Sequence, residues 1–403
     1  MIPDGWKASK INELNHYITS GSRGWAQYYS DSGDLFVRIT NLTREKLSLD
    51  LSDSKYVKIP ENSNEGKRTR LMLGDILISI TADLGIIGFI ENEFNTPAYI
   101  NQHVALLRID EKEIDSKFIA YQMASESGHQ QFISLNDAGA KSGLNLDSIR
   151  KFSILIPPLL EQCRIAEMLG VWDESIDLLE KLIGRVRSRK QGLMQQLLTG
   201  KKRFKGFEGS EWKTVSLEKI ADINPRKHPN NLQFIGEFVE MASVSESGHL
   251  KNIAHVDPTN STGGYTEFIN GDTLIAKITP CFENGKGAFI ERLEGVGFGS
   301  TEFFVLRSKL EIIPIYLYYL TRTYDFGMRG KAMMQGSGGQ QRVPSDFIKQ
   351  FAVKLPSLPE QEKIAAVLSA ADDEISTLEK QLAAYKQQKL GLMQQLLTGR
   401  IRI

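Results

Sequence analysis

A nine-residue string, Gly192-Leu193-Met194-Gln195-Gln196-Leu197-Leu198-Thr199-Gly200, returns unchanged as Gly391 through Gly399. The offset of 199 residues is close to half of the 403-residue chain, so the fold must hold two copies of one unit. Without a gap, the same offset sets Pro157 against Pro356, Glu161-Gln162 against Glu360-Gln361, and Asp173 against Asp372. Upstream the correspondence weakens. Gly74-Asp75 answers to Gly271-Asp272, Leu107-Arg108 to Leu306-Arg307, and Trp6-Lys7 to Trp212-Lys213. Two variable domains, 1–154 and 203–353, are each followed by a near-constant helix, 155–202 and 354–403. Unlike loops ahead of like helices imply that two different things are read and one kind of partner is engaged twice.

The constant segments carry a heptad seam. Apolar residues fall at Ile165, Leu169, Trp172, Ile176, Leu179, Ile183, Val186, Leu193 and Leu197, with Lys190 as the polar interruption. The second copy runs Ile364, Leu368, Ala371, Ile375, Leu378, Leu382, Tyr385, Leu392 and Leu396, interrupted by Lys389. Prolines precede each segment and Gly200 and Gly399 follow, the expected asymmetry of helix ends. A helix of ~38 residues is ~57 Å long and exposes its whole stripe unless partnered. The simplest partner is the other copy, packed antiparallel within the chain, which creates an internal two-fold pseudosymmetry. The alternative is that each helix packs on its own domain. Trp172 standing where the other copy has Ala371 makes the copies unequal.

The variable domains read as α+β. Strand patterns occur at Asp34–Ile39, Asp75–Ile80, Thr273–Ile278 and Glu302–Leu306, and helical ones at Asp115–Ser125 and Ile312–Thr323. Between them lie polar, glycine-bearing loops at 21–29, 65–70, 278–287 and 336–342. Arg and Lys suit guanine edges, Gln and Asn suit adenine, and Gly lets backbone approach phosphate. Any one such loop is ordinary surface chemistry; their recurrence around one frame in both halves favours a functional reading.

Lys+Arg and Asp+Glu both count 49, so a nucleic-acid binder of this composition must concentrate its cations on one surface. Cys163 and Cys281 are too few for a disulfide framework or a zinc site, and the six histidines form no ligand array. No secretory leader pattern or membrane-length apolar run occurs, and a soluble cytoplasmic protein is expected. Methyltransferase chemistry lacks its loop: Asn224-Pro225-Arg226-Lys227 and Asp257-Pro258-Thr259-Asn260 have no second proline or aromatic ring. There is no phosphate-binding Gly-Lys-Ser/Thr turn, and Glu360-Gln361-Glu362-Lys363 opens a coiled-coil helix. No catalytic constellation emerges.

Pro-Pro-Leu-Leu-Glu-Gln-x-x-Ile-Ala (157–166), its sister Pro-Ser-Leu-Pro-Glu-Gln-x-x-Ile-Ala (356–365) and the twice-used nine-residue string resemble the conserved regions of Type I restriction–modification specificity subunits. The stretch from Gly271 to Lys286 resembles a target-recognition-domain signature of that family. The resemblance implies a non-catalytic chain with two pseudo-twofold-related α/β target recognition domains separated by an antiparallel coiled coil. Each domain would read one half of a split double-stranded DNA target. It further implies two modification (methyltransferase) subunits on the conserved helices, and restriction/translocase subunits completing the nuclease. S-adenosylmethionine, ATP and Mg would belong to those partners, with no cofactor, metal or membrane for this chain. Loop chemistry nominates Ser22, Arg23, Tyr28, Lys67, Arg68, Arg70 and Lys141 for DNA contact in the first half. In the second half it nominates Lys227, Lys277, Thr279, Glu283, Asn284, Lys286, Gln340, Gln341 and Arg342. The competing readings are a protein-binding scaffold with a coiled-coil spacer and a degenerate methyltransferase.

Overall fold

A computed structural model describes residues 2–60, 63–110, 112–136, 143–225, 236–248, 250, 254–256, 265–293, 295–337 and 339–403. They form two units, Met1–Leu182 with Leu378–Ile403, and Ile183–Thr377.

In chain order the first unit holds β1 (Lys7–Lys10), β2 (His16–Ser20), β3 (Tyr29–Ser30), β4 (Asp34–Val37), β5 (Lys55–Val57), α1 (Asn64–Thr69) and β6 (Ile76–Ser79). It continues with β7 (Ile87–Phe89), β8 (Ala98–Ile100), β9 (Val104–Ile109), α2 (Ser116–Ala124), α3 (Glu126–Ser134), α4 (Leu146–Arg150), β10 (Ser153–Ile156) and the start of α5 (Leu159–Leu197). One antiparallel sheet runs β2-β9-β6-β7; a second, β3-β5-β4-β8, includes the parallel pair β4·β8. β6 is buried on both faces, and its alternation divides it between two cores. Ile76 and Ile78 pack with Phe118, Ile119 and the helix residues Ile165 and Leu169, whereas Leu77 packs with Leu35 and Val37. The strand pattern read through Ile39 ends earlier, at Val37. Asn41 accepts the Arg38 N–H on its side chain at 2.9 Å and turns the chain into a 3₁₀ segment.

The second unit repeats this plan with β11 (Lys213–Ser216), α6 (Leu217–Ile220), β12 (Ala221–Ile223), β13 (Gly236–Val239), β14 (Ala254–Val256), β15 (Thr266–Phe268) and β16 (Thr273–Ala276). Then follow β17 (Gly287–Phe289), β18 (Gly297–Gly299), β19 (Phe303–Ser308), α7 (Pro314–Thr321), α8 (Tyr324–Ala332), α9 (Ser345–Gln350), β20 (Ala352–Leu355) and the start of α10 (Leu358–Leu396). Its sheets run β12-β19-β16-β17 and β14-β13-β18-β15, again with one parallel pair, β13·β18. Ile275, Phe304 and Leu306 face the helices; Leu274, Phe303 and Val305 face the other core.

The long helices are capped by glycines in the left-handed region, Gly200 at φ 73° and Gly399 at φ 66°. Within each unit the first part of one helix meets the last part of the other. The pairing is antiparallel: Asp173 meets Lys389 and Glu180 meets Lys386 in the first unit, as Lys190 meets Asp372 and Arg189 meets Glu374 in the second. Both packing modes weighed from the sequence therefore hold together. Ile165 and Leu169 pack on their own domain while Met393, Leu396 and Leu397 of α10 join the same core.

The repeated Glu-Gln pairs explain themselves. Gln162 donates to Glu113 O (3.0 Å) and Pro157 O (2.9 Å) and accepts from the Asp115 N–H (2.9 Å). Gln361 makes the same three bonds to Glu311, Pro356 and Ile313. Each glutamine stitches the start of a long helix to the loop before α2 or α7. Glu161 takes the Arg402 guanidinium and Glu360 takes that of Arg203, so Glu360 is a buried, paired carboxylate.

Candidate nucleic-acid interface

The two units share a polar frame bond by bond. The buried Asp75 carboxylate holds Arg108 Nε and Nη2 at 2.6 and 2.7 Å; Asp272 holds Arg307 Nε and Nη2 at 2.9 and 2.7 Å. Such charge-assisted, two-point bonds fix the strand pair on which the neighbouring loops stand.

At the opposite ends of these strands three loops converge, again with equivalent backbone bonds. The Ile80 N–H donates to His103 O at 3.0 Å, and the Lys277 N–H to Glu302 O at 2.7 Å. Leu144 N–H reaches Ile80 O at 3.0 Å, and Val343 N–H reaches Lys277 O at 2.9 Å. The side chains of Asn101 and Ser300 accept from the N–H groups of His103 and Glu302, at 3.0 and 3.2 Å.

In the second unit this convergence gathers several residues nominated from the sequence. Lys277 is half-buried, its Nζ donating to Thr301 O at 2.8 Å and lying 4.9 Å from the Phe304 ring centre. Burial holds its ammonium below the ordinary lysine value. Arg342 places Nε and Nη2 on the Glu302 carboxylate at 2.8–3.2 Å, which lowers that carboxyl below its usual range. Thr279, at a cis peptide bond with Pro280, donates its hydroxyl to Gly339 O at 2.6 Å and accepts from the Gln341 N–H at 3.1 Å. Gln340 and Gln341 are exposed on the same turn. Farther along the 278–287 loop, Asn284 donates to Glu246 (2.8 Å), Glu283 pairs with Lys331 (2.9 Å) and Lys286 Nζ reaches Met241 O (3.2 Å).

In the first unit Glu65 gathers Ser22 and Arg68. It accepts the Ser22 N–H at 3.0 Å and both bonds of the Arg68 Nη2, which leaves that guanidinium serving the fold; Arg68 also donates to Thr19 and Ser20. Lys67, Arg70 and Arg23 are exposed, and Tyr28 stands edge-on to the buried Trp25 at 6.0 Å. Lys141 and Lys227 lie outside the described residues, as do Arg226 and the Asp257–Asn260 string.

Sequence reading passed over Glu302, and with it Thr81, Gln102 and His103. His103 bonds Thr81 Oγ1 through Nδ1 at 2.8 Å and the Gln102 side-chain nitrogen through Nε2 at 2.9 Å. The signal available was positional. His103 and Glu302 stand 199 residues apart, each just ahead of the last core strand.

The profile of the Type I restriction modification DNA specificity domain matches residues 3–187 and again 209–385. The chain belongs to this specificity-domain family. The Type I restriction enzyme EcoAI specificity subunit of Escherichia coli is 31% identical over 62% of this chain and 44% of its own length. The corresponding EcoEI subunit is 30% identical over 59% of this chain and 41% of its own length, so the chain spans less than half of either relative. The putative MjaX specificity subunit of Methanocaldococcus jannaschii is 24% identical over 100% of this chain and 95% of its own. The fold of the specificity-domain chain is also that of the Type I S subunit from M. genitalium, with TM-score 0.59 and 16% identity over 97% of this chain and 96% of that one. Among the described residues, no helix of this family member is long and apolar enough to cross a membrane.

Proposed function

We propose that this chain is the DNA-reading, non-catalytic component of a Type I restriction–modification enzyme. Each unit reads one half of a split duplex target through the loops at the end of its core strands. The paired long helices set the spacing of the halves and carry two modification subunits, which supply S-adenosylmethionine-dependent adenine methylation. Restriction subunits using ATP and Mg complete the assembly, in the cytoplasm. The observation that carries this reading is a frame repeated hydrogen bond for hydrogen bond beneath loops whose side chains differ. A repeated frame holds two readers alike; unlike loops give them unlike texts.

The test is co-expression with the cognate modification subunit in a methylation-free host, followed by mapping of methylated adenines. A split motif that needs both chains is expected. Methylation by this chain alone, or retention of a partner protein with no sequence-selective DNA binding across a salt series, overturns the proposal.

A further inference from the structure

The frame-equivalent positions differ sharply in how freely they vary. Where the frame is held, chemistry is kept: Asp75–Arg108 matches Asp272–Arg307, Gln162 matches Gln361, and Tyr121 matches Tyr319. Where the three loops converge, the backbone bonds are kept and the chemistry is exchanged. Ile80 answers to Lys277, His103 to Glu302 and Gly143 to Arg342, the Gly143 and Arg342 N–H groups bonding the side chain of Asn136 and the carbonyl of Gln335. One unit thus presents a hydrogen-bonded Thr81–His103–Gln102 chain, the other a Lys277–Glu302–Arg342 cluster of two cations about one carboxylate.

Geometry says what the charged cluster can do. A guanidinium offers five donors in a planar fork. Glu302 occupies the Nε–Nη2 side of Arg342, which fixes the plane and leaves the Nη1–Nη2 end as a second two-point face. That face matches guanine O6 and N7, a pairing in which planarity and orientation carry the discrimination. Lys277, held against Phe304 and beside Glu302, sets a second cationic group next to Arg342 at the same convergence.

We propose that this convergence is the base-selecting position of each unit: Arg342 reads a guanine with Glu302 as its positioning residue, and His103 with Thr81 and Gln102 selects a base in the other half-site. The inference rests on the DNA-reading function above and names the residues that perform it.

The test uses the complex with its modification subunit, with motifs mapped by sequencing methylated DNA. Arg342→Gln and Glu302→Gln are expected to relax or change one guanine-containing position of one half-site, with discrimination falling of the order of 10- to 100-fold there. Glu302→Asp restores the original preference in part, which a merely structural role does not require. His103→Ala and Thr81→Val alter a position in the other half-site only. The untouched half-site reports folding within the same molecule. Quantitative binding to duplexes with single-base changes covers any variant too weak to methylate. An unchanged motif, or equal loss at both half-sites, overturns the assignment. Absence of any split motif with the wild-type complex overturns the DNA-reading proposal itself.

Discussion

Lys389 Nζ lies 2.5 Å from Asp173 Oδ1 across the helix pair of the first unit, both side chains largely withdrawn from solvent. Tyr121 adds its hydroxyl to the same carboxylate at 2.6 Å, and burial beside Asp173 keeps that hydroxyl protonated by pushing its pKa up. Lys190, Asp372 and Tyr319 repeat the cluster in the second unit. The lysines that interrupt an otherwise apolar seam are thus register pins, since sliding one helix by a turn would strand a buried charge.

Lys389→Met should therefore destabilise by about 3–5 kcal/mol, the range for removing one member of a buried pair. Joining it to Asp173→Leu should recover most of that loss, because no charge is then left without its partner. Urea unfolding of the single and double variants decides the matter. Equal stability of wild type and the Lys389→Met single variant removes the pinning role.

Two chemically identical pairs should respond unequally. Glu360 is fully buried, holds Arg203 at 2.6 and 2.8 Å and also accepts from the Trp212 indole; Arg203 is 16% exposed. Arg402, the partner of Glu161, is 43% exposed. Arg203→Met leaves a buried carboxylate without its charged partner, a cost of about 3–5 kcal/mol. Arg402→Met allows water to replace the guanidinium, and a smaller drop in melting temperature is expected. Thermal denaturation of the two variants side by side gives the order.

What the sequence disclosed follows from how far each signal reaches along the chain. The long helices are announced by local periodicity and by the identity of their copies, and four strands by short apolar runs rich in branched and aromatic residues. Lys190 is visible as an interruption, but its partner Asp372 stands 182 residues away, and no local pattern links them. The same limit governs the loops. Arg68 reads as a cation offered to DNA, yet Glu65 one helical turn earlier engages it. Arg342 and Lys277 were legible as cations, whereas Glu302, which orients one and faces the other, comes to them only through strand pairing.

Among the anchors of the loop from Thr279 to Lys286 is one buried ring. Phe282 is buried against Gly330 of α8, and a methyl added at Gly330 would fall inside the van der Waals envelope of that ring. Gly330→Ala should cost about 1–3 kcal/mol through overpacking. It should also loosen the loop selectively, seen as faster amide exchange at 281–286 with the β16–β19 core unchanged. Uniform exchange across the unit contradicts this seating.

If the chain reads DNA as proposed, alkaline pH should weaken that binding earlier than ordinary lysines would require. Burial depresses the Lys277 value, with Arg342 adding to that and Glu302 opposing it. Between the depressed folded value and the ordinary one the unfolded chain binds more protons, so stability from this group rises with pH through that interval. Binding has the opposite sign. Phosphate favours the ammonium, so affinity falls as pH climbs through the folded value. Lys277→Arg removes the titration. Affinities of the complex measured from about pH 8 to about pH 10 at fixed salt should decline for wild type and hold for the variant. Parallel curves for the two proteins exclude Lys277 from the contact.

On the proposed reading, the register pins also dictate how the spacing of half-sites can be changed. Seven residues added to α5 between Asp173 and Lys190, matched by seven in α10 between Asp372 and Lys389, preserve both ion pairs. Such an insertion lengthens the paired helices by ~10.5 Å, or ~3 base pairs of duplex. An insertion in α5 alone keeps one pair and throws the other out of register, so it should unfold more readily without yielding a clean new spacer. For the matched variant, methylation mapping is expected to return the same half-sites separated by about three more base pairs. A motif with its original spacing would show that something other than helix length sets the gap.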